Sequence, residues 1–188
     1  LPERLVTQVE YLERHPGTDL VGTNVSYFVE EPSQSINRSN FPQQHEAIVA
    51  CYASGDNGLQ HPTICARAKV FDQLRYTEGA IRHEDYLLIC EIIKRGYRLA
   101  NIPEVLYAMR IHQESATSTT DIWPIRQTFK IRDRYFGRKS SRIEIWRWYA
   151  YIRLYRKGQL SKDRWLRWSY FAAAGIMQPH KIWQRLQR

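Results

Sequence analysis

Up to about residue 112, short apolar runs alternate with segments of helical period; beyond residue 120 only helical period remains. That break constrains the fold more than any single motif, because alternating strands and helices bury their apolar faces by layering helices on a sheet. Charge and aromatic content change at the same place. Residues 1–120 carry 11 Lys+Arg against 15 Asp+Glu, a net of −4; residues 121–188 carry 17 against 4, a net of +13, and all six tryptophans. The two add to the +9 of the 188-residue chain. The expectation is an α/β segment over 1–120 and a basic, Trp-rich helical region over 121–188.

With 43% hydrophobic and 25% charged residues the chain is neither disordered, collagenous nor a small disulfide scaffold. No apolar run approaches the ~20 residues of a spanning helix, and the first residues show no secretory leader pattern. Cys51, Cys65 and Cys90 are odd in number and scattered, which reads as reduced thiols of a cytoplasmic protein.

Along the chain, Leu5, Val9 and Leu12 recur at helical spacing over 2–14, ahead of a His-Pro-Gly stop. Residues 19–29 read as a strand with Val21, Val25 and Phe28 inward, 30–40 as a loop, and 44–53 as a helix followed by a glycine-rich turn. Residues 63–66 read as a short buried strand and 69–74 as a short helix. A helix over 85–95 faces Leu88, Ile89, Ile92 and Ile93 inward and stops at Gly96. Two strands, 97–101 and 105–111, flank Pro103. In the basic region Ile145, Trp148, Ile152 and Tyr155 form one helical stripe and Arg142, Arg153 and Arg156 another; Trp165, Trp168 and Ala172 continue the pattern, and a last helix starts at Pro179.

Three places carry chemistry. Glu84 and Asp85, after His83, open a helix. They read either as a cap with a favourable dipole charge, or as a carboxylate held ionised to accept a hydroxyl proton (Asp85) beside one that binds the hydroxyl (Glu84). The run 55–63 reads either as a solvated turn or as a glycine loop, with Gly58, that approaches a ligand closely; Pro62 would hold His61 extended and aim its ring at a pocket. On a strand, Arg110 and His112 share a face, where Arg suits a diphosphate and His a divalent metal. No phosphate-binding P-loop, dinucleotide fingerprint, serine-hydrolase elbow or C-x-x-C is present.

Taken in order, Leu1-Pro2-Glu3-Arg4-Leu5 and the rest of that helix, the run at 19–23, His61-Pro62-Thr63, Glu84-Asp85-Tyr86, Gly96-Tyr97, the run at 101–106 and Arg110-Ile111-His112 resemble the second half of a family-2, GT-A-type inverting glycosyltransferase. The resemblance covers roughly residues 1–118. It implies a partial GT-A (nucleotide-diphospho-sugar transferase) fold, acceptor-side over 1–120, with a helical C-terminal extension. It implies sugar transfer from a nucleotide-sugar to a saccharide or lipid-linked acceptor, in cell-surface polysaccharide or glycolipid synthesis. By resemblance Asp85 is the catalytic base and Glu84 its acceptor-binding neighbour. Gly58, His61, His83 and Arg110 bind substrate, and His112 is a third ligand of a divalent metal, Mn or Mg, expected in the complete enzyme, or a contact to the diphosphate. The chain departs from the family at 74–76, where a glycine pair is usual, and at 87–89, where an aromatic pattern is usual. The family's D-x-D motif and nucleotide-binding strands precede the first helix, so this stretch alone is expected to be inactive.

The basic region has three readings: helices packed on the α/β part, a peripheral anchor on an anionic inner membrane face, or nucleic-acid binding, the last without any accompanying fold signature. The rival to an enzyme is a non-catalytic module that uses these basic aromatic helices on a membrane or nucleic acid.

Overall fold

Strand β1 (Leu20–Phe28) is buried along almost its whole length and organises the first of two compact units. The structure, a computed structural model, describes residues 1–72, 74–77, 79, 82–112, 121–179 and 181. The first unit comprises Leu1–His112 and Ile131–Arg138, the second Gln113–Lys130 and Lys139–Arg188. Helices and an open sheet give the chain a mixed α/β character.

In the first unit β4 (Leu99–Arg110) runs parallel to β1 along one edge. The other edge is shared by two short antiparallel strands, β3 (Cys65–Ala66) against Leu20 and Val21, and β2 (Asn37–Arg38) against Ser26 and Tyr27. Between them β1 is satisfied by side chains. The Gln8 amide donates to Val21 O at 3.1 Å, Thr63 Oγ1 accepts from Thr23 N at 3.1 Å, and Ser39 Oγ accepts from Val25 N at 2.8 Å. Buried backbone groups need such partners wherever a ladder stops.

Alternation on β1 and β4 divides the core in two. Leu20 and Leu99 join Ile48, Tyr52, Leu88, Ile89 and Ile92 under α2 (His45–Ala53) and α3 (Glu84–Lys94), while Val21, Ala100 and Ile102 meet Leu12 of α1 (Arg4–Arg14) on the opposite face. Val21, Val25 and Phe28 are buried as the strand pattern predicts, as are Leu88, Ile89 and Ile92, and Gly96 ends α3 at φ +80°.

Several expectations are corrected. The buried face of α1 is Gln8 and Leu12; Leu5 and Val9 are exposed. The loop over 30–40 contains β2, pinned because Ile36 N donates to Tyr27 O at 2.8 Å. The strand over 63–66 shrinks to β3, half-buried, since Thr63 belongs to a 3-10 turn, and the helix over 69–74 is a 3-10 turn, Ala68–Phe71. Pro103 does not separate two strands: β4 runs through it, with shifts of register against β1 around Asn24. Proline cannot donate to a ladder, so it sits at the irregularity, where Asn24 Nδ2 donates to its carbonyl at 2.8 Å.

The second unit is helical. Helix α4 (Ile122–Phe136), within the region expected to be helical, contributes Ile125 and Phe129 from its part before residue 131 to a core with Trp148 of α5 (Arg142–Leu160). Ile145 and Ile152 pack against that core, as their stripe predicts. Ser141 caps α5 and Asp163 caps α6 (Arg164–Met177), each side chain accepting a backbone N–H three residues on. Gly158 lets α5 and α6 close together, because a Cβ there would lie 2.6 Å from Phe171. Trp165, Trp168 and Ala172 do not continue the buried stripe; α6 buries Ala174 and Gly175 and turns those three outward. The helix expected from Pro179 falls mostly outside the described residues.

Candidate active site

Helix α3 starts at Glu84, with Arg82 at φ +67° leading into it and His83 at the cap position making no side-chain cap. Neither carboxylate serves as the cap. Both lie in the first turn, where the helix dipole favours negative charge, but Asp85 turns sideways to His61, its Oδ1 3.1 Å from His61 Nε2. The Tyr76 hydroxyl lies 2.7 Å from the same nitrogen, ring edge to ring face. An ionised carboxylate only accepts, so Nε2 is the donor to Asp85 in the tautomer that satisfies that state.

The 3-10 turn His61–Thr63 aims His61, rather than extended backbone before Pro62. Helix α1 and the sheet hold that turn from beneath. Arg4 donates to Pro62 O at 3.2 Å, the buried Gln8 amide to Thr63 O at 2.7 Å, and Thr63 Oγ1 to Gln60 O at 2.7 Å. Sequence periodicity overlooks Gln8 because a polar residue on a core face carries no hydrophobic signal. Tyr76 is overlooked because nothing in the sequence ties it to His61 or Asp85.

Gly58 has a tighter role than a free ligand loop. A Cβ there would lie 2.8 Å from Ile48 O, and the Gly58 carbonyl accepts from Asn101 Nδ2 at 2.9 Å. Its close approach is to α2, and this anchors the chain ahead of His61.

Partial burial raises the Asp85 pKa; the adjacent His61 pulls it down, and Glu84 adds to the rise. Burial and then the two carboxylates raise that of Tyr76. Glu84 Oε2 and His61 Nδ1 are buried without a protein hydrogen-bond partner. Unsatisfied polar atoms are costly in a core, and these two belong to the partner of Asp85 and to its neighbour in the chain.

Thus His61 and Asp85 come together, with Glu84 and the half-buried His83 preceding Asp85 along the chain. Arg110 and His112 follow from the end of β4. β4 ends at Arg110, so strand alternation does not extend to His112. Arg110 lies over the Phe28 ring at 5.4 Å and donates to Glu30 O at 3.3 Å; His112 is exposed. Among the described residues no three His, Cys, Asp or Glu gather as a metal would require.

No family model and no solved structure matches the chain. It is 28% identical over 111 residues to an uncharacterized glycosyltransferase of Methanocaldococcus jannaschii, covering 59% of this chain and 38% of that protein. It is 32% identical over 111 residues to the amylovoran biosynthesis glycosyltransferase AmsE of Erwinia amylovora, covering 58% and 40%. It is 22% identical over 111 residues to an uncharacterized glycosyltransferase of Haemophilus influenzae, covering 59% and 40%. The chain therefore spans about 40% of the length of these relatives. The three similarities support a glycosyltransferase, and the open sheet with its helices is compatible with a fold of that kind.

Proposed function

We propose that residues 1–120 form the acceptor side of an inverting glycosyltransferase of the family-2, GT-A type. It transfers a sugar from a nucleotide-sugar to an acceptor hydroxyl. The observation that carries this reading is the pairing of Asp85 with His61 at the head of α3, in a chain similar to three glycosyltransferases. The Asp85 side chain is half exposed, and the burial of the rest raises its pKa, so it takes up a proton more readily than a fully solvated carboxylate. Once ionised, Asp85 accepts the acceptor's hydroxyl proton as its oxygen attacks the sugar. His61 keeps the carboxylate turned toward the attack, and Glu84 Oε2, an acceptor atom without a protein partner, receives a second acceptor hydroxyl. The Erwinia relative is named for amylovoran biosynthesis, and a biosynthetic transfer of that kind is the role proposed for this chain.

The residues described do not fit a divalent ion: His112 is a single exposed ligand, and no step here is routed through a metal. Donor diphosphate, and any Mn or Mg with it, are assigned to the complete enzyme. This stretch alone is accordingly expected to bind nucleotide-sugar weakly and to be inactive.

The test is Asp85→Asn in the intact gene product. The variant should fold normally and lose about 10²–10⁴-fold in turnover, the range of a general base. Near-normal turnover would remove Asp85 from the role.

A further inference from the structure

The helical unit carries two surface features besides its core. Helix α6 presents an outward apolar stripe. Trp165 is 81% exposed, Trp168 63% and Ile176 71%, and with exposed Ala172 they fall at i, i+3, i+7 and i+11, on one side of the helix. The side that meets α5 is another one, where Phe171 closes on Gly158. The second feature is a groove of about 330 Å³ between the two helices. Arg153, Arg156 and Lys157 line it from α5, with Ser161 at the turn and Leu166 and Tyr170 as its α6 wall. The three cations are spaced i, i+3 and i+4, where like charges repel. No acidic side chain is among the described lining residues.

We propose that the α5–α6 pair docks on an anionic lipid bilayer. Trp165, Trp168 and Ile176 enter the interfacial layer, and the Arg153–Arg156–Lys157 groove takes a lipid phosphate headgroup. Tryptophan belongs at the bilayer interface because its ring is apolar and its N–H polar. Arginines and lysines of the same helix pair meet the negative surface potential of an anionic leaflet. The groove matches one amphiphile at both ends, a phosphate for the cations and an apolar portion for Leu166 and Tyr170. A second copy of the chain fits less well: residues 121–188 carry 17 Lys+Arg against 4 Asp+Glu, so pairing would set like charge against like. Among the described residues no helix is long and apolar enough to cross a membrane, and docking of this kind requires none.

The experiment is co-sedimentation of the chain with phosphatidylcholine vesicles, with and without phosphatidylglycerol, and needs no glycosyl transfer. Binding should require the anionic lipid and fall steeply with added NaCl. Combined Arg153→Gln, Arg156→Gln and Lys157→Gln should weaken it on the order of 100-fold, from roughly tenfold or less per cation near the surface. Trp165→Ser with Trp168→Ser should also weaken it while circular dichroism and the thermal midpoint hold, since both side chains are exposed. Equal binding to neutral vesicles, or unchanged binding by either variant, would overturn the proposal. So would calorimetric binding of inorganic diphosphate by a chain that ignores vesicles, which marks a free-phosphate site. Concentration-dependent dimers that the tryptophan variant dissociates, with no vesicle binding, would assign the stripe to a second copy instead.

Discussion

Adding one methyl group at Gly22 should disturb the sheet centre and, through it, the His61 turn. Gly22 is buried in the middle of β1, and a Cβ there would lie 2.4 Å from Asn101 Oδ1, 3.3 Å from Leu59 Cβ and 3.4 Å from Thr63 Oγ1. The nearest of these cannot simply swing aside. Asn101 Nδ2 donates to Pro42 O at 2.7 Å and to Gly58 O at 2.9 Å, so relieving the clash by rotation gives up both bonds. Each is worth about 0.5–1.5 kcal/mol net, and each leaves a buried carbonyl unpaired. Moving the backbone instead costs about 1–3 kcal/mol, the usual penalty of overpacking. Either route makes Gly22→Ala destabilising by roughly 1–3 kcal/mol, and each kcal/mol lowers the thermal midpoint by about 2–4 °C in a chain of this size. The matched control is Gly17→Ala. Gly17 is exposed, has nothing within 4 Å of an added Cβ and no left-handed φ, so its variant should stay within about 0.5 kcal/mol of the parent. Urea unfolding of both variants, followed by fluorescence and circular dichroism, gives the comparison. A Gly22→Ala chain within about 0.5 kcal/mol of the parent would refute the claim that Asn101 is pinned, and with it the account of how Gly58 and His61 are held.

The Asp85 pKa is raised on folding, chiefly by burial. The folded state therefore binds more protons between the ordinary carboxylate range and the raised value. Stability falls as pH rises through that window, and the cost persists above it. Asp85→Asn should leave the neutral-pH thermal midpoint equal or slightly higher; a clear drop would show that the carboxylate holds the fold. Cys90 is buried, and burial pushes its thiol up to about 12. It should resist a thiol reagent in the folded chain and react on denaturation, while the half-buried Cys51 and Cys65 react sooner. Modification of Cys90 as fast as the other two would contradict that burial.

The pattern of this sequence determines the layer arrangement. The alternation in β1 and the 3.6-residue period in α3 are local statements about which face is apolar, and burial is what each one requests. Accordingly Val21, Val25 and Phe28, and Leu88, Ile89 and Ile92, lie inside. Nearness of Glu84 and Asp85 to a helix start was equally legible, because acidic residues in a first turn respond to a local dipole. The pattern failed where a polar side chain does the burying. Gln8 sits fully inside because Val21 O and Thr63 O need its amide, and that rotates α1 so that Leu5 and Val9 face outward. It failed again on α6, where Trp165 and Trp168 are apolar by type and exposed in place. Tertiary structure alone decided that Asp85 turns from the helix end to His61, that Tyr76 joins them across 15 residues of chain, and that Arg110 donates to the Glu30 backbone carbonyl and lies over Phe28. Those are long-range choices of direction for flexible side chains. Their energies depend on which atoms the fold brings within about 3 Å, and no period or spacing along the chain encodes that distance.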